Sequence, residues 1–285
     1  MEILKLSEKI WVFRGAIENP QSYIDYYTTD PINLDRWTPW YTFGDMIGDS
    51  GTSWRLSESF PSKKEWTENF LEEPDLYKRK IADAFYDASK IYLEEANVNF
   101  PNWISPNWGI ARYFPDVADF ETPENQGRTM VHHSDYQQEL ADYPGEKFAV
   151  TAVLYLNDDY EGGEINFRLT DPNDHLNVVE EIVYKPAAGD MLFFPSTPPY
   201  YHGVLNVKKN PKYIVRLYWK YYEESSETYL NLKKRYGDDF EEVDMVRRKR
   251  KDMFLSDPVH RPRMSMAEYY EKLHNGTLKE DYNRD

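Results

Sequence analysis

The sequence predicts a mixed α+β protein whose core is built from antiparallel β-strands. From residue 110 onward the chain passes through eight short segments with strand-like composition, separated by turns that contain Gly, Pro, Asn or Asp. No clear helical pattern lies between them, so they suit a double-stranded β-helix, or jelly roll, better than a parallel α/β sheet. The predicted strands cover residues 110–114, 129–135, 148–156, 164–168, 178–184, 190–194, 200–207 and 212–219.

A helical region is predicted on the N-terminal side of this core. Residues 1–109 are interpreted as a mostly helical support region, with helices packed on the sheet. The strongest signal starts at Asp75, directly after Pro74, a residue suited to the first turn of a helix. Behind it, apolar residues recur at helical spacing and predict a long amphipathic helix. These residues are Tyr77, Ile81, Phe85, Ala88, Tyr92 and Ala96.

Two further segments complete the predicted organisation. The stretch from Pro31 to Trp66 mixes Trp, Tyr and Phe with Pro and Gly, which is typical of a loop, and we expect this aromatic loop to wall a substrate cleft. Residues 221–285 are predicted to form a charged helical extension of the jelly-roll core at 110–220. Its basic run at 247–251 could be a localisation signal or an anion-binding patch, but a solvated helix face is favoured.

Composition excludes several classes of function. The chain has 34 Lys and Arg against 50 Asp and Glu, a net charge of −16, which disfavours binding to nucleic acid or anionic membranes. It contains no cysteine, so disulfides, thiolate metal sites and cysteine nucleophiles are excluded. No signal-like segment and no apolar run of ~20 residues is found, so we expect a cytoplasmic protein with no membrane partner.

The most informative pattern is His133-Ser134-Asp135, followed at a distance by His202. Two imidazoles and one carboxylate are the ligand set of the facial triad, which binds non-haem Fe(II) and leaves other coordination positions open. On a β-strand, side chains two residues apart project from the same face, so His133 and Asp135 are predicted to close on one ion. His132 then faces the other side.

Four segments around these residues have a recognisable order. They are Ala111-Arg112-Tyr113, then His133-Ser134-Asp135, then the run from Val153 to Phe167 that contains Gly162-Gly163, and finally the run from Lys185 to Trp219 that contains His202-Gly203-Val204. In this order they resemble the 2-oxoglutarate-dependent Fe(II) oxygenases, specifically the branch of prolyl 4-hydroxylases and oxygen-sensing prolyl hydroxylases. The resemblance spans roughly residues 110–219.

The resemblance implies the cofactors and their binding residues. Fe(II) binds 2-oxoglutarate and O2 as cosubstrates, with ascorbate as a further cofactor the family admits. Matching positions assign the distal carboxylate of 2-oxoglutarate to Lys212, ten residues after His202, and to the hydroxyl of Tyr155. Strand alternation places Arg216 on the same face as Lys212, so Arg216 is a rival for this role. Tyr113 would face the metal, although a core tyrosine explains it nearly as well.

The predicted activity is hydroxylation of an unactivated C–H bond in a peptide, protein or small molecule, with a prolyl residue favoured and with succinate and CO2 as co-products. Asp135 argues against halogenation, because related halogenases carry a small residue there. Two alternatives stay open: a zinc-dependent hydrolase with the same three ligands, and a non-catalytic jelly-roll module that binds a partner. The hydrolase would leave Lys212 and Tyr155 unexplained.

Overall fold

The architecture was obtained as a computed structural model. It describes residues 2–29, 38–42, 46–57, 76–98, 103–115, 128–135 and 146–222, together with three single positions beyond Tyr222. Within these ranges the protein has two helices, α1 (Gln21–Thr29) and α2 (Leu76–Glu95). The strands are β1 (Glu2–Lys5), β2 (Trp11–Arg14), β3 (Thr38–Thr42), β4 (Met46–Ser57), β5 (Trp103–Tyr113), β6 (Arg128–His133), β7 (Glu146–Tyr155), β8 (Glu161–Gly162), β9 (Ile165–Asp171), β10 (Asp174–Tyr184), β11 (Met191–Pro195), β12 (Tyr200–Leu205), β13 (Val207–Lys208) and β14 (Lys212–Tyr222).

The strands form two main antiparallel sheets. The large sheet has the order β1-β2-β11-β7-β14-β5-β4-β3, and the small sheet has the order β10-β9-β12-β6. A two-stranded ladder of β8 and β13 lies beside them. Neighbours in both sheets are far apart in sequence, as in the pairing of β14 with both β5 and β7. The tertiary fold, and not local sequence, therefore sets which strands meet.

The inner cluster is the apolar core that both main sheets share. Large-sheet residues and small-sheet residues belong to it together, and Phe167 of β9 meets Phe194 of β11 edge to face at 4.9 Å between ring centroids. This contact between the two inner faces is the packing of a β-sandwich. The buried members are Ile10, Val12, Ala111, Tyr113, Val153, Tyr155, Tyr160, Ile165, Phe167, Leu192, Phe194, Val207 and Ile214.

The outer cluster lies on the opposite face of the large sheet, where α2 packs. Phe85 of α2 stacks on Phe193 at 5.6 Å and on Trp219 at 5.4 Å between ring centroids. Trp219 Nε1 also donates a hydrogen bond to Ser89 Oγ at 2.9 Å, which satisfies its polar atom inside an apolar layer. Of the predicted helical stripe, Ile81, Phe85, Ala88, Tyr92 and Ala96 are buried in this cluster and Tyr77 packs against it.

The strand and helix predictions between residues 75 and 220 are confirmed. Each of the eight predicted runs coincides with an observed strand, and the predicted amphipathic helix is α2. The antiparallel sheets with few helices agree with the predicted jelly roll.

The prediction for the N-terminal region was wrong in part. The stretch from Pro31 to Trp66 was expected to be a loop, but it contains β3 and β4, which extend the large sheet by pairing β4 with β5. Ladder hydrogen bonds to a strand from elsewhere in the chain override the local turn composition here. Within its described residues, the region 1–109 therefore holds four complete strands as well as two helices. The predicted helical extension and its basic run at 247–251 lie outside the described residues.

Neither described helix is both long and apolar enough to cross a membrane.

Candidate active site

Three side chains on the small-sheet side meet in the interior. His133 Nε2 lies 3.3 Å from Asp135 Oδ1, and His202 Nε2 lies 3.7 Å from Asp135 Oδ2. The ligand atoms of the three residues all lie within 4.8 Å of one another, so they could hold one metal ion. Asp135 and His202 are buried, and His133 is partly exposed. The structure thus brings together the three residues that the sequence singled out.

Strand pairing explains how His133 and His202 meet. In the register of β12 on β6, His202 is the partner of His133, and their ring centroids are 4.5 Å apart. Asp135 reaches the site differently from what the sequence predicted. β6 ends at His133, and Asp135 lies beyond it in a turn, so the alternation of side chains along one strand does not place the carboxylate. The segment directly after His133 does.

An irregularity in β6 sets the orientation of His133. The register passes from His202 opposite His133 to Val204 opposite Met130, so β6 has one extra residue facing Gly203. This β-bulge shifts the alternation of side chains. A Cβ on Gly203 would lie 2.9 Å from the carbonyl oxygen of Met130, which leaves room only for glycine.

His132 points away from the triad, as predicted. Its Nε2 lies 2.6 Å from Asn166 Oδ1, and Asn166 Nδ2 donates to Glu181 Oε1 at 2.9 Å. Glu181 is exposed, so this chain of polar contacts runs along the outer face of the small sheet.

The protonation of the triad suits a divalent cation. His133 Nδ1 lies 3.0 Å from the carbonyl oxygen of Val131, which can only accept, so Nδ1 carries the proton and Nε2 keeps its lone pair. Burial lowers the pKa of His202 to about 3, although Asp135 opposes this. Burial alone would raise the pKa of Asp135, but His202, His133 and Thr151 outweigh it and lower the pKa below its ordinary value. The site therefore offers neutral imidazole and ionised carboxylate donors.

Thr151, a hydroxyl residue that the sequence analysis missed, holds the carboxylate, and a second such residue, Ser196, contacts Thr151. Thr151 Oγ1 donates to Asp135 Oδ2 at 2.6 Å and lies 2.7 Å from Ser196 Oγ. Ser134 Oγ donates to the carbonyl oxygen of Ser196 at 2.8 Å. Thr151, Ser196 and Ser134 are each 1% exposed. The alternation of side chains along β7 could have identified Thr151, because Thr151 shares the inner face of this strand with Val153 and Tyr155.

Lys212 is a buried cation at the other end of the interior, only 1% exposed. Its Nζ donates to the carbonyl oxygen of Gly163 at 2.6 Å and lies 5.0 Å from the ring centroid of Tyr155. No ion pair between Lys212 and a carboxylate occurs within the described ranges. The pKa of Lys212 is lowered to about 7, mainly by burial and also by Lys185, while Glu164 acts in the opposite direction. A buried ammonium without a carboxylate partner is costly, so this arrangement suits an anionic ligand.

Side-chain alternation along β14 predicts that Arg216 points into the interior, and its contact with Tyr218 agrees with this prediction. Arg216 hydrogen-bonds to Tyr218, and Asp135 and Arg216 both act on the pKa of Tyr218, which burial raises. In the register of β14 on β7, Tyr218 faces Thr151 and Arg216 faces Val153. Arg216 is therefore at the Asp135 end of β14, four residues from Lys212.

Tyr113 is buried in the inner cluster at 2% exposure. It faces Lys212 in the register of β14 on β5, and its hydroxyl lies 3.8 Å from Met130 Sδ. This places Tyr113 in the same interior as the triad.

Part of the chain matches a known protein family. Residues 116–220 match the model of the 2OG-Fe(II) oxygenase superfamily, and this segment contains the triad and Lys212. The match covers 105 of the 285 residues, and this matched segment is similar to the superfamily. Fe(II) and 2-oxoglutarate are the cofactors of that superfamily. No curated protein matches the chain.

Several solved structures are similar to this chain at low identity. The viral collagen prolyl hydroxylase of Paramecium bursaria Chlorella virus-1, in complex with 2OG, is 15% identical over 75% of this chain and 97% of its own, with a TM-score of 0.46. A Pseudomonas putida prolyl-4-hydroxylase is 15% identical over 75% and 94%, with a TM-score of 0.46. The Trichoplax adhaerens prolyl hydroxylase, in complex with a peptide of hypoxia inducible factor, is 12% identical over 78% and 89%, with a TM-score of 0.48.

Proposed function

We propose that this protein is an oxygenase that hydroxylates an unactivated C–H bond, with His133, Asp135 and His202 as the iron ligands. The convergence of these three side chains within 4.8 Å, with one carboxylate and two histidines, is the observation that carries the proposal. This donor set is the facial triad of non-haem Fe(II) oxygenases. The family reaction converts 2-oxoglutarate and O2 to succinate and CO2 while one oxygen atom enters the substrate.

For the cosubstrate, we propose that Lys212 and Tyr155 bind the distal carboxylate of 2-oxoglutarate. Lys212 is a buried ammonium that faces the inner cluster, and Tyr155 is buried beside it. An ion pair in this dry interior would supply the carboxylate partner that the described part of the chain does not offer Lys212. Arg216 lies nearer to Asp135, so it is assigned to ordering the triad end of the interior through Tyr218.

The protein groups position and protect the reacting centre. When bound, iron activates dioxygen for attack on a C–H bond, which is chemistry that side chains cannot supply. Thr151 fixes one oxygen of Asp135, and the carbonyl of Val131 fixes the tautomer of His133. The aromatic and aliphatic inner cluster keeps bulk water away from the interior.

The substrate class that we propose is a prolyl residue of a peptide or protein. Support comes from the four segments that resemble the prolyl 4-hydroxylase branch. It does not come from a contact within the described residues.

An anaerobic titration tests the assignment of metal and cosubstrate. Fe(II) and 2-oxoglutarate added together should produce the weak visible charge-transfer band of the chelate. His133→Ala, Asp135→Ala and His202→Ala should each abolish the band and turnover while retaining the fold by circular dichroism. A zinc-dependent hydrolase or a binding module would give no band, and full turnover by all three variants at saturating iron would contradict the ligand assignment.

The roles of the two cations are separated by varying 2-oxoglutarate. Lys212→Ala should raise the KM for 2-oxoglutarate about tenfold to hundredfold, because a charge-assisted hydrogen bond contributes about 1.5 to 3 kcal/mol. Arg216→Ala should lower kcat with a smaller change in KM. The reverse pattern would assign the cosubstrate to Arg216.

A further inference from the structure

Tyr160 lies near two lysines beside the proposed cosubstrate site. The residue is buried in the inner cluster at 3% exposure. Lys185 Nζ is 3.7 Å and Lys212 Nζ is 5.5 Å from its ring centroid. The residue belongs to the turn after β7, where Gly163 accepts the hydrogen bond from Lys212.

The hydroxyl of Tyr160 is buried and has no hydrogen-bond partner among the described residues. A buried hydroxyl without an acceptor loses its hydrogen bond to water and gains nothing in return. A packing role would be served equally well by phenylalanine, which carries no such cost. The hydroxyl therefore indicates a ligand that accepts a hydrogen bond.

Tyr160 shares its surroundings with the residues assigned to the cosubstrate. Burial raises the pKa of Tyr155 well above its ordinary value. The electrostatic effect of Tyr160 raises this pKa further, and that of Tyr113 is smaller. The two phenols are therefore close neighbours, and Lys212 lies within 5.5 Å of both ring centroids. An anion bound to Lys212 would lie beside the Tyr160 phenol, whose hydroxyl has no hydrogen-bond partner among the described residues.

We propose that the Tyr160 hydroxyl is a third donor to the distal carboxylate of 2-oxoglutarate, beside Lys212 and Tyr155. This inference rests on the proposed function, since it deepens the same site. A carboxylate has two oxygens and about four lone-pair positions, so it can accept from one ammonium and two phenols at once.

Lys185 holds the Tyr160 ring in place for this role. Its Nζ donates to the carbonyl oxygen of Tyr160 at 3.1 Å and to that of Gly162, while it sits over the ring. Backbone and ring of the same residue are thus fixed by one side chain. A Cβ on Gly163 would lie 2.8 Å from the Tyr160 ring, so the turn packs directly against it.

The test compares Tyr160→Phe with Tyr184→Phe. Both changes remove one phenolic oxygen near the inner cluster, but the hydroxyl of Tyr184 is already committed to Asp190 Oδ2 at 2.6 Å. The dissociation constant of 2-oxoglutarate is measured on the anaerobic Fe(II) protein by the visible band. A second readout is the rise in thermal midpoint that 2-oxoglutarate produces. Neither readout depends on turnover.

The expected result is a dissociation constant about tenfold to hundredfold larger for Tyr160→Phe and close to wild type for Tyr184→Phe. Wild-type affinity in Tyr160→Phe would overturn the inference and leave the proposed function standing. Equal weakening in both variants would also overturn it, because the effect would be a general loosening of the core. Absence of any 2-oxoglutarate binding by the wild-type protein would overturn the proposed function and this inference together.

Discussion

At the residue scale, the carboxylate of Asp135 is oriented by its neighbours before any ion arrives. Thr151 donates to Oδ2, while Oδ1 faces His133. Groups that hold a metal ligand in this way commonly change metal affinity about tenfold to hundredfold when they are removed. Thr151 should therefore influence the metal although it offers it no ligand atom of its own.

We expect Thr151→Val to weaken Fe(II) affinity about tenfold to hundredfold, because Asp135 loses its fixed orientation. Thr151→Ser keeps the hydroxyl and should stay close to wild type. The measurement is an anaerobic metal titration in the absence of 2-oxoglutarate. Thr170→Val is the matched control, since that hydroxyl is buried without a partner among the described residues. Equal metal affinity in Thr151→Val and wild type would show that Thr151 serves packing alone.

The lowered pKa of Lys212 predicts how cosubstrate affinity depends on pH. The charged groups around Lys212 are Lys185, which lowers its pKa, and Glu164, which raises it, and burial brings the pKa to about 7. Only the ammonium form pairs with a carboxylate. Above about pH 7 the free protein must first take up a proton, so affinity for 2-oxoglutarate should fall by up to about tenfold per pH unit. Below that pH, this contribution should be constant.

The substitution Lys212→Arg checks this dependence, because arginine stays charged over the whole range. Dissociation constants measured from about pH 6 to about pH 9 should slope in the wild type and be flat in the variant. Parallel slopes in both proteins would assign the titration to another group.

At the element scale, the bulge in β6 connects backbone geometry to the metal site. The extra residue opposite Gly203 lets β6 carry both Met130 and His133 toward the interior. A regular ladder would place these two residues on opposite faces, because they are three positions apart. The side chain at 203 is limited to hydrogen by the approach of the β6 backbone.

Gly203→Ala should consequently displace β6 and with it His133. We expect a loss of about 1 to 3 kcal/mol in the free energy of unfolding and a clear loss of Fe(II) affinity. Gly15→Ala is the control: Gly15 has φ +62, and a Cβ there would meet no atom within 4 Å. That variant should lose about 1 kcal/mol of stability and bind metal normally. Normal metal affinity in Gly203→Ala would mean that β6 adjusts without moving His133.

At the scale of the whole molecule, α2 supports the large sheet on the face opposite the active site. Phe85 stacks on both Phe193 and Trp219, which come from strands on either side of β7 in the large sheet. Its removal should leave a cavity that spans three elements. The active site lies on the other face of that sheet, in the inner cluster.

We expect Phe85→Ala to lower the free energy of unfolding by about 3 to 5 kcal/mol. Fe(II) and 2-oxoglutarate affinity of the folded fraction should change little, because Phe85 belongs to the outer cluster and the residues assigned to these ligands lie on the opposite side of the large sheet. Urea unfolding gives the first quantity and the anaerobic titration the second. Leu176→Ala, at a side chain 93% exposed, should change stability by less than about 0.5 kcal/mol. A small loss in Phe85→Ala would contradict the supporting role of α2.

The sequence by itself determined the strands of the core, the helix α2 and the identity of the three triad residues. Period-two and helical periodicity are local, and the motif residues have a chemistry that belongs to their side chains. The β3–β4 pair was not predicted, because what holds its strands does not lie in their local sequence. Its strands are held by pairing with β5, a partner that is distant in sequence, while their own composition is typical of a loop.

Only the tertiary structure decided how the site is assembled. His133 and His202 are neighbours because β12 pairs with β6, and Asp135 joins them from a turn that no alternation rule describes. Thr151, Ser196 and Tyr160 became visible as site residues only when strands and turns far apart in the chain were brought to one interior. Local sequence specifies which face of a strand a residue occupies. What lies opposite that face depends on pairings between distant segments, and these are settled by the packing of the whole fold.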